Sequence, residues 1–110
     1  MSEFIVGDTK EDGMMAFFQD DGKTGYLYLS NGREVIKHLQ IYNTAAALNV
    51  KEEDVMVIWS KDGSKCGVVI WDGLRGVIDM AKDRERRIFL RDRNSPSIED
   101  PDWLSGFEEG

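Results

Sequence analysis

The chain has 110 residues with two prolines and one cysteine, and 41% of it is hydrophobic, which is room for one compact core. Fourteen Lys and Arg against twenty-one Asp and Glu leave a net charge of -7, which argues against nucleic acid or an anionic membrane as the default partner. The lone Cys66 excludes an intrachain disulfide, and neither a signal-like apolar run nor a span-length apolar stretch occurs, so a cytoplasmic protein without a membrane role is expected.

In chain order, Asp8-Thr9-Lys10-Glu11-Asp12-Gly13 comes first. It matches a calcium loop at Asp8, Asp12 and Gly13, but Lys10 stands at a ligand position and Gln19 where the closing Glu belongs, so turn chemistry is the better reading. Met14 to Phe18 and Tyr26 to Leu29 flank Asp20-Asp21-Gly22-Lys23-Thr24-Gly25 and are expected to be hairpin strands. The Gly-Lys-Thr within that turn lacks the long glycine-rich loop of a phosphate-binding site.

Residues 33–40 are expected to be a helix. Asn31 and Glu34 have capping-box spacing, and Val35, Leu39, Tyr42 and Ala46 fall near one helical face, although Leu39 to Asn43 also suits a strand. Thr44 to Asn49 could form a short helix of its own. Val55 to Trp59, Cys66 to Trp71 and Leu74 to Met80 read as strands divided by Asp62-Gly63 and Asp72-Gly73. The first two are apolar on both faces and need two covers: a helix, a second layer from Met14 to Phe18, or a second copy in a homodimer. Arg75 and Asp79 place the third nearer an edge. The expected fold class is α+β, an antiparallel, meander-like sheet with one short covering helix. Its domain spans 1–94, and 95–110 is an acidic C-terminal arm.

Catalytic chemistry has thin support. One His and one Cys cannot supply a His/Cys metal site, so no metal or cofactor is expected. Asp20, Asp21, Asp72 and His38 are the weak catalytic candidates; Asp beside Gly caps its own turn, and acid/base work needs two carboxylates brought together. Cys66, opening an apolar strand, is expected to be structural. Residues 81–94 hold six basic and three acidic residues, and 95–110 hold five acidic and no basic ones. Arg84, Arg86, Arg87, Phe89, Arg91, Arg93 and Trp103 are therefore the candidate interaction residues, with Trp103 anchoring the arm on the basic segment.

Asp20-Asp21-Gly22-Lys23-Thr24-Gly25-Tyr26-Leu27-Tyr28, Ile41-Tyr42-Asn43, Val57-Ile58-Trp59-Ser60 and the following Asp-Gly hairpin resemble a small uncharacterised bacterial protein family, a domain of unknown function, over residues 14–90. The resemblance implies a bacterial domain and supplies neither an activity nor catalytic residues. The residues themselves point to a non-enzymatic protein-interaction module, with an inhibitory or immunity-type role by analogy with small acidic inhibitors. Its partner would be an unidentified protein or a second copy. The alternatives are a small enzyme using clustered carboxylates and a weak nucleic-acid binder acting through residues 82–93.

Overall fold

A computed structural model describes residues 3–107, the side chain of Ala46 excepted. Two four-stranded antiparallel meanders account for most of it. The first sheet is β1 (Phe4–Thr9), β2 (Met15–Asp20), β3 (Gly25–Ser30) and β4 (Val35–Tyr42). The second is β5 (Val55–Trp59), β6 (Lys65–Ile70), β7 (Gly73–Asp79) and β8 (Arg84–Arg87). Helix is confined to α1 (Ala45–Leu48), a 3-10 turn at Glu52–Asp54 and α2 (Pro101–Leu104). The architecture is mostly β, so the α+β expectation holds only roughly, while the antiparallel meander is present twice.

Side-chain oxygens at the strand ends make the hairpins. Asp21 accepts from the amides of Lys23 and Thr24 at 2.9 and 2.7 Å, and Asp62 accepts from Ser64 at 3.0 Å. The adjacent Gly22 and Gly63 take the positive φ that each turn requires.

The expected helix over 33–40 is instead β4. Asn31 accepts from the amides of Arg33 and Glu34 at 2.9 and 3.0 Å. The Asn31 N–H donates to the Glu34 carbonyl, and Gly32 has φ +94°. An Asx turn closing a hairpin uses the same side-chain-to-amide bonds as a helix N-cap, so the spacing did not distinguish them. The β4 alternation is also broken. A bulge opposite Gly25/Tyr26 leaves Ile41 and Tyr42 buried in succession, which imitates helical periodicity. The Ala46 side chain of that proposed face lies outside the described residues.

The sheets pack face to face, β1 and β2 against β5, β3 against β6, and β4 against β7 and β8. Ala16, Phe18, Leu27, Leu29 and Ile41 meet Val55, Val57, Cys66, Val68, Ile70 and Ile78 in the main core. Both margins are tied. The Leu90 amide donates to the Ile41 carbonyl at 2.8 Å and Arg87 Nη1 to the Gln40 carbonyl at 2.7 Å. At the other margin Lys10 Nζ donates to the Gly63 carbonyl at 2.9 Å.

β7 is an interior strand, not an edge. It lies between β6 and β8, and all seven of its residues are buried, Arg75 and Asp79 included. Arg75 is tolerated there because Nε donates to the Ile70 carbonyl and Nη1 to those of Ser95 and Pro96, at 2.6 to 3.0 Å. Asp79 accepts from Arg84 Nε at 3.1 Å. The charged stretch 81–86 thus contributes its second half to β8.

The second sheet's outer face is covered by the chain itself. Leu74, Val77 and Ile98 form a small core joined by Ile58, Val69, Ile88, Trp103, Leu104 and Phe107. The Ile98 amide donates to Leu74 and the Lys61 amide to Gly106, both at 2.8 Å. Lys65, buried in β6, holds the end of α2: Nζ donates at 3.0 Å to the carbonyls of Asp102 and Ser105 and to Ser105 Oγ.

Candidate functional site

Among the described residues the first sheet's outer face has no such cover. Along β2 and from Gly25 to Leu29 of β3 burial alternates residue by residue, with Ala16, Phe18, Leu27 and Leu29 fully buried, so Phe17, Gln19, Tyr26 and Tyr28 project the other way. Register aligns them into rows: Ile5, Gln19, Tyr26 and Gln40 in one, and Gly7, Phe17, Tyr28 and His38 in the next. Thr9 and Met15 begin a third, near Ile36.

The aromatic rings support one another across the strands. Phe17 stacks on Tyr28 with centroids 5.0 Å apart, Tyr28 on Tyr26 at 5.7 Å, and Tyr26 lies 5.9 Å from His38. Gly7 lies opposite Phe17; a Cβ there would come to 3.0 Å from the Phe17 Cβ and 3.2 Å from the Ala16 carbonyl oxygen, so the glycine permits the close approach of β1 to β2. Partial burial, with smaller contributions from Tyr26 and Asp21, raises the Tyr28 phenol above its ordinary pKa, so it stays a neutral donor at physiological pH. Ile5 is 59% exposed and Ile36 46%. In a chain that is 32% charged, the two complete rows hold no Asp, Glu, Lys or Arg. A contiguous uncharged aromatic surface of this kind is a candidate interaction site.

The residues singled out by chemistry lie elsewhere, apart from His38. Asp20, 2% exposed, accepts from the Tyr42 hydroxyl at 2.6 Å and from the Gly22 amide at 2.7 Å. Burial, reinforced by that carboxylate, raises the Tyr42 phenol far above its normal range. Asp21 is exposed, and backbone bonds from Thr24 and Lys23 hold its carboxyl below the usual range. Asp72 lines a shallow depression with Glu53, Asp54, Trp71 and Arg93, a set containing neither Asp20 nor Asp21. His38 sits at the margin of the aromatic face, on Tyr26. Asp20 and Asp21 serve their own turns and Tyr42.

Lys65 and Ser105 place an amine beside a hydroxyl, with Nζ and Oγ 3.0 Å apart. The three ammonium protons have three acceptors, which leaves Nζ no lone pair with which to take a proton. Cys66 is fully buried, and burial pushes its thiol up to about 12, the wrong direction for a nucleophile. Among the described residues no group of three His, Cys, Asp or Glu side chains is placed to hold a metal ion, and no helix is long and apolar enough to cross a membrane.

The basic segment is largely engaged within the chain. Arg84 bridges Asp79 at 3.1 Å and Asp102 at 2.9 Å, with its guanidinium 4.1 Å from the Trp103 ring centroid. Arg87 lies over Phe89 and Arg93 over Trp71, at 4.7 and 4.3 Å. Arg86 and Arg91 are exposed. Sequence reasoning had noted the runs containing Phe17, Tyr26 and Tyr28 but not that they form one surface. The signal was their period-two spacing on paired strands, which becomes a face only once register is known.

No curated protein and no solved structure matches the chain. A family model described as an uncharacterised protein conserved in bacteria matches residues 1–104. The chain therefore belongs to that bacterial family, DUF2251.

Proposed function

We propose that this protein is a non-enzymatic interaction module that seats a protein partner on the outer face of β1–β4, with inhibition of that partner, as in immunity-type proteins, as its form of action in the cytoplasm. The observation that carries the reading is the uncharged face built on Phe17, Tyr26 and Tyr28, flanked by Ile5 and Ile36. Aromatic and tyrosine-rich surfaces supply large contact area at low conformational cost, and such residues dominate binding energy at interfaces. Asp20 and Asp21 are spent on their turns and on Tyr42, and Asp72 lies apart from both, which supports binding over catalysis.

The test is affinity purification from the native cell with the wild-type chain and with Ile5→Lys, followed by cross-linking of whatever is retained. The reading expects a reproducible protein partner, cross-linked beside β1–β4 and lost with Ile5→Lys. Reproducible turnover of a small molecule with no protein partner would overturn it.

A further inference from the structure

We infer that the partner seated on this face is a cationic protein surface, with an apolar centre flanked by arginine or lysine, and not a second copy of this chain; the inference rests on the reading above. The two complete rows are free of formal charge, but the turns and strand ends that frame them are acidic. Glu3, Glu11, Asp21 and Glu34 are exposed around them, against exposed Lys23 and Arg33. Lys10, another cation of that half, is turned to the second sheet, where it donates to the Gly63 carbonyl and lies over Trp59, and it pairs with Asp12 at 3.3 Å.

Lys37 of β4 and three cations of the second sheet are engaged within the chain, while Arg86 and Arg91 are exposed. Lys37 pairs with Asp83 at 2.7 Å, Arg84 with Asp79 and Asp102, and Lys65 and Arg75 with backbone carbonyls. The carboxylates Glu3, Glu11, Asp21 and Glu34 have no ion-pair partner among the described residues, and four of them against Lys23 and Arg33 leave the turns and strand ends of the first sheet net negative.

Cations complement such a surface in two ways. Guanidinium and ammonium groups pair with the rim, and they sit favourably over the electron-rich faces of Tyr26 and Tyr28, while the Gln19 and Gln40 amides accept hydrogen bonds. Two copies placed face to face would bring two acidic rims together on chains of net charge -7 each. Like-charge juxtaposition works against that dimer, and the same field steers a basic partner inward.

The experiment uses the full chain, isotope-labelled, and two amphipathic helical peptides with the same leucine stripe, flanked by arginines in one and by glutamates in the other. The arginine peptide should shift the amides of Ile5, Phe17, Tyr26, Tyr28 and His38 saturably, and the glutamate peptide should not. Ile5→Lys and the rim variant Glu34→Lys, at exposed positions where folding is undisturbed, should each weaken the arginine peptide, Ile5→Lys by about tenfold. Raising salt from about 0.1 to about 1 M, which shortens the screening length from ~10 to ~3 Å, should weaken it as well.

Equal binding of both peptides, or arginine-peptide shifts centred on Glu52–Asp54, would overturn the inference. A dimer seen in sedimentation and abolished by Ile5→Lys would make the occupant a second copy, overturning the cationic partner while leaving an interaction module. If neither peptide nor a second copy touches the face, and cross-linked partners map elsewhere, the inference and the docking-face reading fall together.

Discussion

Replacing Lys65 by Met keeps the length and apolar stem of the side chain and removes its ammonium, so it tests whether that group holds the C-terminal arm on the second sheet. Three acceptors are lost at once: the Asp102 and Ser105 carbonyls and Ser105 Oγ. A hydrogen bond to a charged group is worth about 1.5–3 kcal/mol. The three are not additive, because Asp102 and Ser105 are exposed and water can replace part of what they lose. A net loss of about 2–3 kcal/mol is expected, or roughly 30- to 150-fold in the equilibrium for lifting the arm. Native-state hydrogen exchange reads this directly. The Ile98 and Lys61 amides, bonded to Leu74 and Gly106 where the arm meets the sheet, should exchange faster by that factor. The Leu90 amide, bonded to Ile41 at the far margin, should not. Unchanged exchange at Ile98 and Lys61 would refute the latch, and equal acceleration at Leu90 would show global destabilisation instead.

Tyr42→Phe strips the buried Asp20 carboxylate of its 2.6 Å partner and should cost about 1.5–3 kcal/mol by urea unfolding. Gly25→Ala would bring a Cβ to 2.5 Å from Tyr42 Cζ and 2.7 Å from Phe18 Cζ, overpacking that should destabilise by about 1–3 kcal/mol on the same measurement. Backbone and hydroxyl bonds from Ser64, then Ser60, depress the Asp62 carboxyl from 3.8 to about 2. The stability it contributes is therefore complete above pH 3.8 and lost as pH falls through about 2. Asp62→Asn should be less stable than wild type at neutral pH, and acid titrations of the two proteins should converge over that window.

The hairpins were legible because their chemistry is local. Asp21 and Asp62 satisfy amides two or three residues ahead, beside glycines at positive φ, and neither device depends on the rest of the chain. What misled was also local: Asn31 and Glu34 form a motif shared by helix caps and hairpins, and only pairing with β3 decides between them. The position of β7 was hidden for the opposite reason. Arg75 and Asp79 mark an edge only if their charges face water, and the Ser95 and Pro96 carbonyls that let Arg75 be buried lie some twenty residues away. The aromatic face was hidden in the same way. Phe17, Tyr28 and His38 become neighbours through two register relationships, and reactive residue types drew the reading to Asp20, Asp21 and Asp72 instead.

The contrast between the two outer faces follows from how each can be covered. Leu74, Val77 and Val69 are aliphatic, and leaving them in water would forfeit roughly 1.5–3 kcal/mol each. Their cover is tethered, so closing it costs loop entropy that grows only slowly with length, and the cations Lys65, Arg75 and Arg84 meet the arm's carbonyls and Asp102. The face on β1–β4 has no described segment over it, and an untethered partner must overcome an association cost of about 4–15 kcal/mol. Such a face spends part of its time in water and has to be tolerated there. Tyrosine, glutamine and histidine meet that requirement because each carries a polar group that water can satisfy, while Phe17 is shielded on one side by Tyr28. Substituting leucines at Tyr26 and Tyr28 would keep the apolar area and remove that tolerance, making the face aggregation-prone.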